Sequence, residues 1–402
     1  MNITFKDIIG ENGVFTDGDW VETKDQDPSG SVRLIQLADI GVNEFRDRSS
    51  RFLNLETAIR LRCTFLEQND ILVARMPDPI GRACLFPEIK QKCATVVDIC
   101  IIRPDRSKIK PRWLVHQING TNFHRQILEF VTGTTRQRIS KGNLSKLKFD
   151  LPPLEEQKRI AGVLDAAEEL RQKRQRSLKL LDELKQSIFV DMFLKSESSD
   201  WPVEDIENLS KKMRTGPFGS QLLHSEFVDQ GVAVLGIDNA VNNEFLWSKR
   251  RYISFEKYDQ LKRFTVEPDD VLITIMGTIG RCAVVPQNIP LAINTKHLCS
   301  ITLDQKKMMP TYLHAAFLNH PEILRQLGMQ SKGAVMPGLN MGIIKTLKHP
   351  IPPLEIQKKF TERVMVLNEQ KATLLTSHEK LDELFTSLQH KAFAGELSGT
   401  AA

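Results

Sequence analysis

The sequence predicts an α/β (α+β) protein: two globular mixed α/β domains, separated by two long helices that pair as an antiparallel intramolecular coiled coil. Three observations predict this pseudo-twofold repeat. The segment LPPLEEQKRI at Leu151 returns as IPPLEIQKKF at Ile351, an offset of 200. Each copy opens a run of about forty residues nearly free of helix breakers. The stretches before each copy hold short β-branched runs, cut at close intervals by Gly, Pro and Asn.

The duplication extends beyond its clearest segment. Asp70–Val73 precedes Ile80, Gly81 and Arg82, just as Asp270–Ile273 precedes Ile279, Gly280 and Arg281. Pro111 and Trp113 pair with Pro310 and Tyr312, and Cys100 pairs with Cys299. The boundaries expected are 1–150 and 196–350 for the globular domains, 151–195 and 351–393 for the helical segments, and 394–402 for a tail. Strands are expected in the runs from Ala94 and from Asp270.

In each helical segment a Pro-Pro pair stops the preceding chain and can open a helix, since proline is tolerated in the first turn. Glu155 and Glu355 follow, where a carboxylate favours the positive helix end. At 1.5 Å per residue such a helix is roughly 60 Å long. Heptad spacing marks a seam. In the first helix it comprises Ile160, Ala167, Leu181 and Ile188, with Val163, Leu170 and Leu184 three residues on. In the second, Phe360, Leu367, Leu374, Leu381 and Leu388 form an unbroken ladder. Two copies in one chain make intramolecular pairing the simplest solution. Polar Arg174, Ser177 and Ser377 at seam positions fix its register.

Composition excludes several classes. Hydrophobic content of 41% and charged content of 26% exclude a disordered or collagen-like chain. No apolar run is long enough to span a membrane, and the first residues lack a secretory plan, so a cytoplasmic location is expected. The six cysteines form no C-x-x-C pair. Cys84, Cys93 and Cys100 with His116 and His124 fit no common zinc spacing, so buried reduced thiols and no metal are expected. Between Ile101 and Lys148 there are eleven Lys/Arg against two Asp/Glu, and between Ile301 and Lys348 six against two. Basic excess in two matched places points to two polyanion-facing surfaces.

The chain resembles the specificity subunits of Type I restriction–modification systems. LPPLEEQKRIAGVLDAAEELRQKRQ and its second copy carry the resemblance, as does GPFGSQLLHSEF from Gly216 followed by GVAVLGIDNA. The first domain has no close counterpart of GPFGSQL. The resemblance implies that each domain is a target-recognition domain reading one half of a bipartite asymmetric DNA target. The helices would set half-site spacing and dock two methyltransferase subunits, and motor-nuclease subunits could join them. S-adenosylmethionine, ATP and magnesium would be used by those partners, with no cofactor in this chain. A coiled-coil interaction scaffold that does not bind DNA is the alternative.

Phosphates call for Lys and Arg, and base edges for Arg, Lys, Asn or Gln in fixed geometry. In the first domain the loop TGTTRQRISKGN offers Arg136, Arg138, Lys141 and Asn143. In the second, KKMRTGPFGSQ offers Lys211, Lys212, Arg214, Ser220 and Gln221, and SKGAVMPGLN offers Lys332 and Asn340. Arg82 and Arg281, in the repeated Ile-Gly-Arg turn, read more as hairpin residues than as phosphate contacts.

Catalytic motifs are missing. The Pro-Pro pairs lack the Asn/Asp and aromatic neighbours that hold an extruded base, and there is no phosphate-binding G-x-x-x-x-G-K-[ST] loop. Asp78, Glu88 and Lys90 mimic a nuclease spacing. The second copy has Gly277, Thr278 and Gln287 in that stretch, so the repeated fold does not require the acids. No catalytic residue is expected.

Overall fold

The computed structural model describes residues 2–195, 201–247, 249–328 and 338–397. The chain divides into two compact units, Met1–Gln175 with Thr376–Ala402, and Arg176–Leu375. Both long helices cross the division, so each unit holds one half of each.

In the first unit a four-stranded antiparallel sheet runs in the order Val14–Asp17, Ile99–Arg103, Ile71–Ala74, Ala83–Leu85. A three-stranded sheet places Val32–Ile35 antiparallel to Arg51–Leu53 and parallel to Cys93–Thr95. The second unit repeats the plan. Ser210–Thr215, Leu298–Leu303, Val271–Thr274 and Cys282–Val284 form its four-stranded sheet. Val232–Leu235 again lies between an antiparallel strand, Tyr252–Ile253, and a parallel one, Ala292–Asn294. In each unit a short ribbon closes the domain onto the start of its helix, Phe149 pairing with Ile3 and Pro350 with Val203.

The long helices run Leu154–Phe193 and Leu354–Phe393, both beginning just past their Pro-Pro pairs. Their ends belong to the domain cores. In the first unit Ile160, Leu164, Phe385 and Ala392 share one buried cluster with Trp113, Phe123 and Phe149. In the second unit Phe189, Phe193, Phe360 and Val364 do so with Tyr312 and Phe317. Beginning of one helix against end of the other, in both units, is antiparallel pairing. The aromatic anchors repeat as well: Phe393 meets Trp113 at 6.2 Å, and Phe193 meets Tyr312 at 4.7 Å between ring centroids.

The seam differs from the sequence reading in its second row. Ile160, Ala167, Phe360 and Leu367 are buried, and Leu181, Ile188, Leu374, Leu381 and Leu388 are half-buried. Leu170 and Leu184, in contrast, are 52% and 46% exposed, whereas Val163 is half-buried like those five. The row that completes the seam lies one residue further on: Leu164, Arg171, Leu178 and Lys185, matched by Val364, Lys371, His378 and Phe385. Apolar content alone favours Leu170 and Leu184. The true row is partly charged, its long aliphatic stems lying in the seam while their heads find carboxylates. Arg171 Nε meets Asp382 at 2.6 Å and its guanidinium covers the Phe385 ring at 4.6 Å. Lys371 Nζ meets Asp182 at 2.8 Å and Glu244 at 2.7 Å.

Candidate nucleic-acid interface

The signature glutamine joins helix to domain. Gln157, fully buried, accepts from Lys110 N at 2.7 Å and donates to the carbonyls of Lys108 and Pro152. Gln357 does the same with Met309 N at 2.8 Å and the carbonyls of Lys307 and Pro352. Each amide thereby satisfies three backbone groups, two of them in the loop before the helix at Pro111 or Pro310. That loop cannot move independently of the long helix.

One end of each four-stranded sheet carries the loops that differ between the units. In the first, Arg75 is buried there and gathers three loops. It pairs with Asp17 at 3.1 Å and donates to the carbonyls of Val97 and Ile139 at 2.7 and 3.2 Å. Ile139 lies between candidates Arg138 and Lys141. Burial raises the pKa of Asp17, and the positive fields of Arg75, Lys141 and Arg138 oppose that rise. Arg136 and Arg138 are exposed and Lys141 half-buried, so these three cations stand in one loop held by Arg75.

Asn143 and Asn340 have local structural work. Ser140 caps the short helix Lys141–Leu144 by accepting from Asn143 N, and Asn143 Nδ2 reaches the carbonyl of Phe130. Asn340 stands where Ser140 does and caps Met341–Lys345 by accepting from Ile343 N at 3.0 Å. Lys332 lies outside the described residues.

In the second unit Lys211 and Lys212 are exposed on the edge strand Ser210–Thr215, beside a register shift. Ser220 and Gln221 are exposed in the short turn Gly219–Gln221 that follows Phe218. Arg214 is a correction. It is 6% exposed, forms a buried ion pair with Asp270, and donates to Thr302 Oγ1 at 2.9 Å and the Thr265 carbonyl at 2.7 Å. The Thr265 carbonyl, Thr302 and Asp270 enclose it, and there it answers an otherwise uncompensated carboxylate. It is not available to DNA. Arg103 pairs with the matching Asp70 from the neighbouring strand, so the buried acid repeats while its cation changes place.

Arg82 is structural, donating to the carbonyls of Leu37, Ile40, Pro77 and Pro79. Arg281 is exposed. Lys296 and His297 escaped the sequence reading. Ile275 N bonds the His297 carbonyl as Arg75 N bonds that of Asp98, placing both residues at the corresponding sheet end of the second unit. Burial lowers the pKa of His297, helped by Lys296 and Arg251. No local motif marks them; only the repeat register does.

Among the described residues no cluster of metal-ligating groups occurs, and all six cysteines are free and buried. Burial pushes the Cys63 and Cys84 thiols up to about 12. Asp78 lies in the turn after Ile71–Ala74, whereas Glu88 and Lys90 follow Ala83–Leu85 at the opposite end of that hairpin. No helix among the described residues is long and apolar enough to cross a membrane.

Doubled α/β lobes with an invariant helix anchor and unlike basic loops define a recognition scaffold. The model of the Type I restriction modification DNA specificity domain matches residues 38–180 and 210–384, and the chain belongs to that family as a specificity subunit. It is 25% identical over 333 residues to the EcoBI specificity subunit of Escherichia coli, covering 75% of this chain and 68% of that one. A putative MjaX specificity subunit of Methanocaldococcus jannaschii is 20% identical, over 82% of this chain and 78% of its own. The S subunit of a Type I system from M. genitalium shares the fold, with TM-score 0.57, 14% identity and coverage of 98% and 96%. A chain of another solved type I R-M system gives TM-score 0.59 and 15% identity, covering 98% of both. The chain's role is non-catalytic recognition of a DNA target.

Proposed function

We propose that each unit reads one half of a bipartite, asymmetric DNA target, that the paired helices set the distance between half-sites, and that they dock two methyltransferase subunits. One observation carries the reading. The Gln157 and Gln357 clamps repeat bond for bond, while Arg138 and Lys141 in one loop stand against Gly338 and Met341 in the other. A shared frame with unlike contact loops suits two unlike half-sites at a set spacing. Arg136, Arg138 and Lys141 in the first unit, and Lys211, Lys212, Ser220 and Gln221 in the second, are the phosphate and base contacts under this reading. S-adenosylmethionine, ATP and magnesium belong to the partner subunits.

Docking is assigned to the outward faces of the helices. Leu184 and Leu384 occupy equivalent places, one in each unit, and are 46% and 47% exposed. Two equal apolar positions fit two copies of one partner. Leu184→Lys and Leu384→Lys should each remove one methyltransferase subunit from the assembly, read by native mass spectrometry.

The central test is spacing. Inserting one heptad into both helices, after Gln175 and after Leu375, keeps Arg171–Asp382 and Lys371–Asp182 in step. Sequencing of methylated sites should then show both half-sites retained and a changed spacer. An unchanged spacer defeats the ruler. DNA binding that does not weaken with salt would defeat phosphate recognition altogether.

A further inference from the structure

Strand register identifies a pair that the sequence offset hides. Asp17 lies opposite Cys100, and Thr215 lies opposite the matching Cys299. The next residues, Gly18 and Gly216, are therefore equivalent, at an offset of 198 rather than 200. Space confirms it. A Cβ on Gly18 would collide with Thr95 Oγ1 and the Val96 carbonyl, and one on Gly216 with the Asn294 carbonyl and Thr295. Thr95 and Asn294 are themselves matched, lying opposite Ile35 and Leu235. Both chains pass so close to the parallel strand that only glycine fits. Two residues on, Trp20 and Phe218 fall at the same place.

Both rings are in solvent. Trp20 is 71% exposed and Phe218 50% exposed. Each sits at the sheet end that carries the unlike basic loops. Phe255, also exposed, has no such twin, since its counterpart Leu55 is half-buried and not aromatic. Acidic neighbours of Trp20 are engaged within the protein. Asp17 pairs with Arg75, Asp19 accepts from Thr64 N, Asp25 pairs with Arg60, and Glu22 holds Lys24 and, at 3.4 Å, Trp20 Nε1. An aromatic ring held in water at the same point of two otherwise different loops has no role in either core.

We infer that Trp20 and Phe218 are matched DNA-contacting aromatics, each laying its ring against base edges and thymine methyl groups of its own half-site. The inference rests on the reading of the units as half-site readers. A ring makes apolar contact that lysine and arginine do not provide, and it neutralises no phosphate.

The test selects duplexes from a randomised library with the full chain, then measures binding of the selected duplex against salt. Trp20→Ala should weaken binding about tenfold, the size of losing one base-pair contact, and relax base preference in one half-site only. Phe218→Ala should do the same in the other half. Trp20→Phe should retain most of the preference, and the salt slope should stay unchanged in all three. Unaltered melting temperatures will show that the exposed positions leave the fold intact. Wild-type selection with alanine variants that keep both preferences overturns the inference and leaves half-site reading standing. Absence of salt-dependent binding by the wild type overturns both.

Discussion

Arg171 Nε lies 2.6 Å from Asp382 Oδ1, and the same pair, displaced by 200 residues on each side, recurs as Lys371 and Asp182 at 2.8 Å. The repeat is thus written into the helix seam as well as into the domains. The cation of each pair occupies the seam row where a regular coiled coil would carry apolar residues, with its carboxylate flanking the seam, which makes the pairs register marks more than stabilisers.

Reversal of one partner tests this. Asp382→Arg should destabilise by about 1–2 kcal/mol, setting two guanidinium groups against each other, and the swap Arg171→Asp with Asp382→Arg should recover most of it. Urea denaturation of the full chain measures both. Equal loss in single and swapped variants would deny the pair any register role.

Gln157→Ala leaves Lys110 N and the carbonyls of Lys108 and Pro152 without their partner in a buried place. A cost of roughly 2–4 kcal/mol is expected. Gln157→Glu should be no milder, since its carboxylate cannot donate to two carbonyls. Gln357 variants should behave alike, because the bonds are alike. Thermal melting read separately for the two units will show which one yields first.

His349 supplies a pH dependence. It is fully buried, both ring nitrogens lack hydrogen-bond partners, and burial lowers its pKa from 6.5 to about 3. Because the folded pKa lies below the unfolded one, its contribution is complete above pH 6.5 and is lost as pH falls toward about 3. The loss is roughly 5 kcal/mol across that window. Phe149 holds the matching place in the first unit, packed 5.5 Å from Phe5. His349→Phe should flatten the acid limb of the stability curve. An acid limb as steep as the wild type's would show that His349 does not set it.

Arg214 and its neighbours should separate cleanly. Arg214→Ala strands Asp270 in the interior and should cost about 3–5 kcal/mol in stability. Lys211→Ala and Lys212→Ala, both exposed, should leave melting unchanged and lower the salt slope of DNA binding by about one each. Unchanged slopes would remove these two lysines from the phosphate contacts.

Much of this protein was legible from residue order. The duplication needs only comparison of Leu151 onward with Ile351 onward. The long helices need only the Pro-Pro starts and the missing breakers, because helix continuity is a local property. Two mixed domains followed from the short β-branched runs. The candidate loop around Arg136 and Lys141 also stands out locally, being basic and rich in Gly, Thr and Ser.

Other features waited on packing. That Arg171, Lys185 and Lys371 outrank Leu170 and Leu184 for seam places depends on partners on another helix and in another loop, which no heptad count contains. That Arg214 points inward depends on Asp270, 56 residues away in sequence. The equivalence of Trp20 and Phe218 depends on strand register, since loops of unequal length shift the numbering between repeats. Periodicity and chain breakers act over a few residues, so residue order determines where helices and strands form and that they form twice. Burial of a charge or exposure of a ring is decided by residues far along the chain, so only the tertiary structure settles which side chains are left to meet DNA.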